Sequence, residues 1–337
     1  MTVAEVLAGE ARSCVEHAKC EAFAPTIPDG SVNLLWLDPP YFRVVDEEWD
    51  RAWKTEADFL AWLRGVVREA ARVLAPNGAL YLFASPQMAS RVECITRESL
   101  NVLNHLVWVK RQGWHAKADE DAIRGYFPQT ERIVFAECAR SSDISPLGES
   151  IQAARTNAGI GMSKLASMIS ESGQATGAVS NWESGLRQPT IDNYIAVMRA
   201  IGDRRSDDDL RREYDDLRRF FDGDKLTYKT DVWEYETVTP TPQKHPCEKP
   251  LPMLRDVVRC SSRPNDVVCE FFGGSFRMAE VALSEGRRYI GCDADEHWAT
   301  VGIERARAAE RGTVAAVPSR KKKVADDRQP SLFGGGK

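Results

Sequence analysis

The stretch NLLWLDPPYF, residues 33–42, decides the reading of the chain. Leu34, Leu35, Trp36 and Leu37 form an uninterrupted apolar run, as a buried strand does. Asp38, Pro39, Pro40 and Tyr41 end it. Neither proline can donate to a ladder, and each restricts the residue before it. Such a turn places its groups at the carboxyl edge of a sheet, where open α/β folds bind ligands. Asp38 is an acceptor there, the proline carbonyls have no ladder partner, and Tyr41 offers a flat face. The set suits a planar ring bearing an exocyclic amino group. The carboxylate and the Pro39 carbonyl would accept the two N–H bonds, and the tyrosine would stack. The plainer reading of the same four letters is an ordinary strand-ending turn.

Working outward, strand-like runs alternate with helical ones. Thr55 to Leu74 carries Phe59, Leu60, Leu63, Val66, Val67 and Val73 at helical spacing. APNG (75–78) reads as a turn and ALYLFA (79–84) as a second buried strand. LNHLVWVK (103–110) and ERIVFAE (131–137) read as two more. DVVCEFF (266–272) and RRYIGCD (287–293) repeat the pattern, with a helix over 278–285 between them. The alternation predicts an α/β sheet with helices on both faces.

Residues 149 to 201 change texture and predict several short helices. DDDLRREYDDLRRFF (207–221) follows as a charged helix with Leu210, Tyr214, Leu217 and Phe221 on one stripe. The end, PSRKKKVADDRQPSLFGGGK, is polar, basic and glycine-rich and reads as a disordered tail. The expected organisation is therefore 1–148 and 231–312 as two halves of one α/β domain, an insert over 149–203, a charged helix and linker over 204–230, and a tail over 313–337.

The second half supplies the other cluster. VVCEFFGGSF is a strand, an acid, and a glycine pair opening a helix; glycines there let a ligand approach the backbone. Asp293 follows Glu270 by 23 residues, the spacing expected of an acid that holds ribose hydroxyls in a nucleoside-binding βαβ unit. There is no phosphate-loop Lys-Ser/Thr, which points to a nucleoside cofactor without phosphates.

The order DPPY (38–41), then HPCEKP (245–250), then the acid–glycine segment at 270–276 resembles the beta group of DNA amino-methyltransferases, most of all the phage- and prophage-type adenine enzymes. LNHLVWVK and YFPQTERIVFAE share in the resemblance, which covers most of the chain outside about 149–230. It implies a Rossmann-like methyltransferase sheet in permuted motif order, S-adenosylmethionine as cofactor and DNA as substrate. On this basis Asp38, Pro39, Pro40 and Tyr41 are catalytic, and His245, Lys249, Pro250, Glu270, Phe272, Gly274, Ser275 and Asp293 bind the cofactor. The reaction implied is methylation of adenine N6 on a flipped base, since the DPPY form goes with adenine more than with cytosine N4. The alternatives are a cytosine N4 enzyme, an RNA methyltransferase, or a DNA-binding regulator whose methyltransferase fold is inactive. Two departures bear on this choice. Glu270 stands where the family has Asp, and Phe276 where it has a loop glycine. Phe276 would crowd the methionine moiety or need a different turn.

The insert resembles the helix-turn-helix of phage repressors. MSKLASMI would be its second helix and GAVSNWESGLRQPT its recognition helix and exit loop. Ile151, Ala154 and Ala158 make an apolar stripe, Trp182 faces inward, and Ser180, Asn181 and Arg187 are free for DNA. Lys110, Arg111, Trp114, Lys117 and Arg124 suit a phosphate track with a stacking surface; a solvated loop is the bland alternative. Gln329, Leu332 and Phe333, in QPSLF, are similar to the peptide that replication proteins insert into the bacterial sliding clamp. Relatives of this type often dimerise.

The totals bound the rest. A net charge of -5 gives no global signal of a nucleic-acid partner, though a local basic groove remains compatible with it. The eight cysteines form no C-x-x-C pair, which argues against a zinc site or a secreted disulfide framework. No basic-then-apolar leader and no membrane-length apolar run is present, so a reduced, cytoplasmic protein of a bacterial or phage-infected cell is expected.

Overall fold

Strand β2 (Val32–Leu37) is the hub of the architecture. Leu35 and Leu37 enter one apolar layer while Leu34 and Trp36 enter another. That is the period-two alternation of a strand covered on both faces. The computed structural model describes residues 1–42, 44, 48–110, 125–126, 129–138, 145–239, 245 and 247–313, with the side chains of 48 and 49 excepted.

Before β2 come α1 (Val3–Ala8), β1 (Ser13–His17) and the short α2 (Cys20–Phe23). After it come α3 (Glu56–Val73), β3 (Leu74–Ala84), α4 (Ala89–Arg97), β4 (Leu100–Val109) and β5 (Thr130–Cys138). Thr55 caps α3 through a reciprocal bond with Asp58, so the predicted helix starts one residue later than read. APNG lies within β3, but as an irregularity. Val32 pairs with Leu74 and Leu34 with Ala79, so residues 75–78 stand opposite Asn33 alone and shift the register by three.

Five helices follow: α5 (Pro146–Asn157), α6 (Met162–Ile169), α7 (Ala178–Glu183), α8 (Ile191–Ala200) and α9 (Asp207–Leu217). They share a third core of Leu147, Ile151, Leu165, Val179, Trp182, Tyr194, Val197, Leu210 and Tyr214. Ala158 lies exposed at the end of α5, outside the predicted stripe. The charged helix packs with the four before it. It ends at Leu217, and Phe221 leaves the stripe to meet the Phe135 ring at 5.9 Å. The chain then gives β6 (Val232–Trp233), α10 (Leu251–Ser261), β7 (Val267–Glu270), α11 (Arg277–Ser284), β8 (Arg288–Asp293) and α12 (Glu296–Glu310).

Among the described residues eight strands make one sheet in the order β1-β8-β7-β2-β3-β5-β4-β6. β1, β8, β7, β2 and β3 are parallel, β5 runs antiparallel to both its neighbours, and β6 is parallel to β4. α3 and α4 bury Phe59, Leu63, Val67 and Val92 on one face, and α10 and α11 bury Leu254, Val257, Met278 and Val281 on the other. From β7 the chain crosses by α11 to β8, and from β2 by α3 to β3, in opposite directions across the sheet. The crevice between the carboxyl ends of β7 and β2 is thus the topological switch point, where such folds bind ligands.

The helical unit attaches at the other edge. Asn77, near the start of β3, donates to the Asp216 carbonyl at 2.6 Å, and Arg219 pairs with Glu137 at 2.7 Å. Among the described residues no helix is long and apolar enough to cross a membrane, and no cluster of His, Cys, Asp and Glu is placed to hold a metal.

Candidate active site

A cavity of about 500 Å³ opens at the switch point. Asp38, Pro39, Pro40 and Tyr41 line it from β2; Glu270, Phe272, Gly273, Gly274 and Ser275 from β7; and Asp293 from β8. Two segments more than two hundred residues apart therefore share one space, as the sequence required. His245 and Lys249 also line it, whereas Pro250 does not and instead precedes the first turn of α10.

The turn after β2 is fixed from behind. The buried Asp50 carboxylate accepts the Tyr41 amide at 2.7 Å and the Val44 amide as well. Tyr41 donates its hydroxyl to Asp38 Oδ1 at 2.7 Å and also lies 3.1 Å from Glu131 Oε2. The Lys249 ammonium stands between the same two acids, 2.7 Å from Asp38 Oδ2 and 3.1 Å from Glu131 Oε2. Aromatic rings enclose it, with the Phe83 centroid at 4.6 Å and that of Tyr41 at 5.7 Å. Lys110 closes the set by pairing with Glu131 Oε1. Lys249, read from the sequence as a cofactor residue, thus contacts the acid of the DPPY turn. Glu131 was not singled out, because within ERIVFAE it reads as one polar position of a strand.

Charge in this cluster is finely divided. Burial pushes the Asp38 carboxyl above its ordinary value; Lys249 opposes the push and Glu131 adds to it. Burial also pushes Glu131 up, but Lys249 and Lys110 together outweigh it and hold it below the ordinary value. Burial disfavours the Lys249 ammonium, yet the two carboxylates leave it more basic than a free lysine.

The turn after β7 works through backbone. Gly274 has φ +48°, a left-handed conformation that favours glycine, and donates its amide to Asp293 Oδ2 at 2.7 Å. A Cβ at Gly274 would lie 3.3 Å from His245 Cε1, so His245 rests directly on the loop. Phe276 is also left-handed, with φ 53°, and is fully buried. Its ring does not line the cavity. It packs between Gly273 and Gly302, where a Cβ on Gly302 would approach the ring to 2.5 Å. Of the two outcomes expected for this residue, the structure has a left-handed turn that carries the ring away from the cavity lining. Glycines on either side accept the ring, a pairing visible only once α12 is placed.

Glu270 is equally covered. The Tyr289 hydroxyl donates to its Oε2 at 2.6 Å, reaching across Gly291, where any side chain would collide with it. Burial raises the Glu270 carboxyl well above its ordinary value, the Tyr289 bond eases this, and Asp38 and Asp293 add to it. Asp293 is raised too, by burial, against the amides of Asp295 and Gly274. Burial is the first cause of all three upward shifts, and a cationic sulfonium and ammonium group would favour the charged forms of these acids. With the side-chain-free approach at Gly274, the residues present fit S-adenosylmethionine.

Of the expected DNA contacts, Lys110 is engaged with Glu131. Arg111, Trp114, Lys117 and Arg124, and the tail residues Gln329, Leu332 and Phe333, lie outside the described residues. Ser180 and Arg187 are exposed, Asn181 is half-buried and Trp182 is buried.

The chain is similar to the DNA adenine methyltransferase YhdJ of Escherichia coli (strain K12), with 23% identity over 303 residues, covering 88% of this chain and 83% of that protein. It is similar to the type II methyltransferase M1.MboII of Moraxella bovis, with 22% identity over 292 residues, covering 84% and 92%. In fold it resembles the PvuII DNA methyltransferase (cytosine-N4-specific), with a TM-score of 0.56 at 11% identity over 88% of this chain and 86% of that one. A family model for N6/N4 DNA methylases matches residues 32–304. The protein therefore belongs to the N6/N4 DNA methylase family, whose methyl donor is S-adenosylmethionine.

Proposed function

We propose that the protein methylates adenine at N6 in DNA, with Asp38 and the Pro39 carbonyl accepting the amino hydrogens of an extruded base. The supporting observation is the shared cavity: the Asp38 turn and the Gly274 loop open onto one space at the switch point. An adenine enzyme among the relatives agrees with the DPPY form of the turn. S-adenosylmethionine, when bound, would supply an electrophilic methyl group to the lone pair of the amino nitrogen, the electrons of the S–C bond going to sulfur.

The chain's residues do the rest by position. The amino lone pair is delocalised into the ring, and bonds from both hydrogens to Asp38 and Pro39 favour a tetrahedral nitrogen that presents it. Asp38 also faces the positive charge that grows on that nitrogen, and takes one proton as it is released. Tyr41, with its hydroxyl tied down, presents its ring as a fixed platform for the base, which has to leave the duplex to be reached. Gly274, Ser275, Glu270, Phe272, Asp293 and His245 hold the cofactor. The inactive-regulator reading leans on Phe276 and on the helix-turn-helix; of these, the Phe276 ring stays out of the cavity.

The test is transfer of labelled methyl from S-adenosylmethionine to DNA, followed by mass spectrometry of the nucleosides. N6-methyladenine is the expected product; N4-methylcytosine, or transfer to RNA alone, would replace this reading.

We further propose that the helical unit is a repressor-like helix-turn-helix touching DNA through Ser180, Asn181 and Arg187. The exposure of Ser180 and Arg187 beside the buried Trp182 supports it. Acidic residues outnumber basic ones across 146–217, so the contribution should be modest. Deleting the unit should flatten the fall of DNA affinity with salt; an unchanged slope would remove the role. Lys110, Arg111, Trp114, Lys117 and Arg124 would add contacts near the mouth, and Gln329, Leu332 and Phe333 would tether the enzyme to a sliding clamp in the bacterial or phage-infected cytoplasm. A homodimer fits the same picture.

A further inference from the structure

Asp38, the acid proposed to accept hydrogen bonds from substrate, shares one ammonium with Glu131. Both Asp38 oxygens already have one donor, Tyr41 on Oδ1 and Lys249 on Oδ2. Each retains a second lone-pair direction. How well they accept depends on how fully Lys249 neutralises them. Lys249 is almost wholly buried and cannot turn to solvent; its acidic partners are Asp38 and Glu131, and it also reaches the Tyr41 hydroxyl at 3.4 Å. Glu131 in turn is fixed by Lys110 on its other oxygen and by the Tyr41 hydroxyl.

We propose that Glu131 is a positioning residue for methyl transfer: by drawing part of the Lys249 ammonium and by holding the Tyr41 hydroxyl, it keeps Asp38 a stronger acceptor for the amino hydrogens than an exclusive pair with Lys249 would allow. Glu131 touches neither base nor cofactor; it acts through Lys249 and Tyr41. The groups facing Asp38 are Lys249, Tyr41, Glu131, Glu270 and Cys247, with Lys110 behind Glu131. Among them Glu131 is a like charge that raises the proton affinity of Asp38, which strengthens it as an acceptor while the nitrogen becomes cationic. The inference rests on the proposed role of Asp38, but not on the identity of the base, because adenine and cytosine both present an amino group.

The experiment compares Glu131→Gln and Glu131→Asp with the wild type. In the Gln variant the ammonium moves wholly to Asp38. Its kcat should fall roughly tenfold or more, with S-adenosylmethionine affinity within about twofold, and the acidic limb of its pH–rate profile should move to lower pH. Glu131→Asp keeps the charge and should keep the wild-type limb with partial kcat. A second readout is independent of turnover: the Asp38 carboxyl carbon, assigned with Asp38→Asn, should titrate at lower pH in Glu131→Gln by ¹³C NMR. An unmoved titration in a folded variant, or equal losses in the Gln and Asp variants with an unshifted limb, would overturn the proposal. A wild-type product of N4-methylcytosine would overturn the adenine reading alone.

Discussion

After β2 the chain turns on two prolines and presents side chains; after β7 it turns on two glycines and presents backbone. The first turn carries Asp38 and Tyr41, whose oxygens are bound by Lys249, Glu131 and each other. The second carries the Gly274 amide on Asp293 and a ring, Phe276, turned away from the cavity. The lesson is that a turn working through side chains constrains residue identity. A turn working through backbone constrains conformation, and tolerates Glu270 and Phe276 when Tyr289, Gly291, Gly273 and Gly302 make room for them.

That contrast can be broken at either turn. The largest effect is expected at the first. Asp38→Ala should lower kcat by about a thousandfold or more, the scale on which a group facing developing charge acts. Cofactor affinity should stay within about twofold in a binding titration; comparable losses in both would mean that the two turns do not divide the work.

At the second turn, Phe276→Gly removes a buried ring but relieves a left-handed backbone. A net stability loss of about 3 kcal/mol is expected by denaturant melt, with little change in cofactor affinity. A large gain in affinity would mean that the ring crowds the site after all.

Gly274→Ala is a smaller probe of backbone work. The added Cβ meets His245 and the conformation disfavours a side chain, at a cost of about 1 kcal/mol, so cofactor affinity should fall several-fold while the fold persists. Retained affinity would assign the cofactor contacts elsewhere.

The smallest effect concerns pH. Burial raises the Glu270 carboxyl well above its ordinary value, so the folded state holds this proton to higher pH than the unfolded chain does. Its contribution to stability is full below the ordinary carboxylate range and is lost as pH rises toward its shifted value. Asp38 and Asp293 act with the same sign. The ligand-free protein should therefore lose stability as pH rises above about 5. Glu270→Gln should flatten that slope, and a slope unchanged in the variant would place the effect on other groups.

The sequence made the first turn legible because prolines and an acid at a strand end leave few physical readings. The strand–helix alternation was legible too, since β2, β5 and β8 carry continuous apolar runs and α3 carries helical spacing. The departures at Glu270 and Phe276 were visible as letters, but their resolution was not. It depends on Tyr289, Gly291 and Gly302, whose roles exist only through packing between neighbouring elements. Glu131 was missed for the same reason, because its partners Lys110 and Lys249 come from β4's exit and from the segment before α10. The charged helix was placed, but its end was not, because Phe221 finds Phe135 in the sheet and not the stripe it continued.

The most direct measurement is a crystal structure of the protein with S-adenosylmethionine bound. The account predicts the methionine part on the Gly274–Ser275 backbone, the ribose at Asp293, and the methyl carbon pointing into the space beside Asp38 and Tyr41. A cofactor seated away from the Gly274 loop, or one whose methyl group faces away from Asp38, would contradict it.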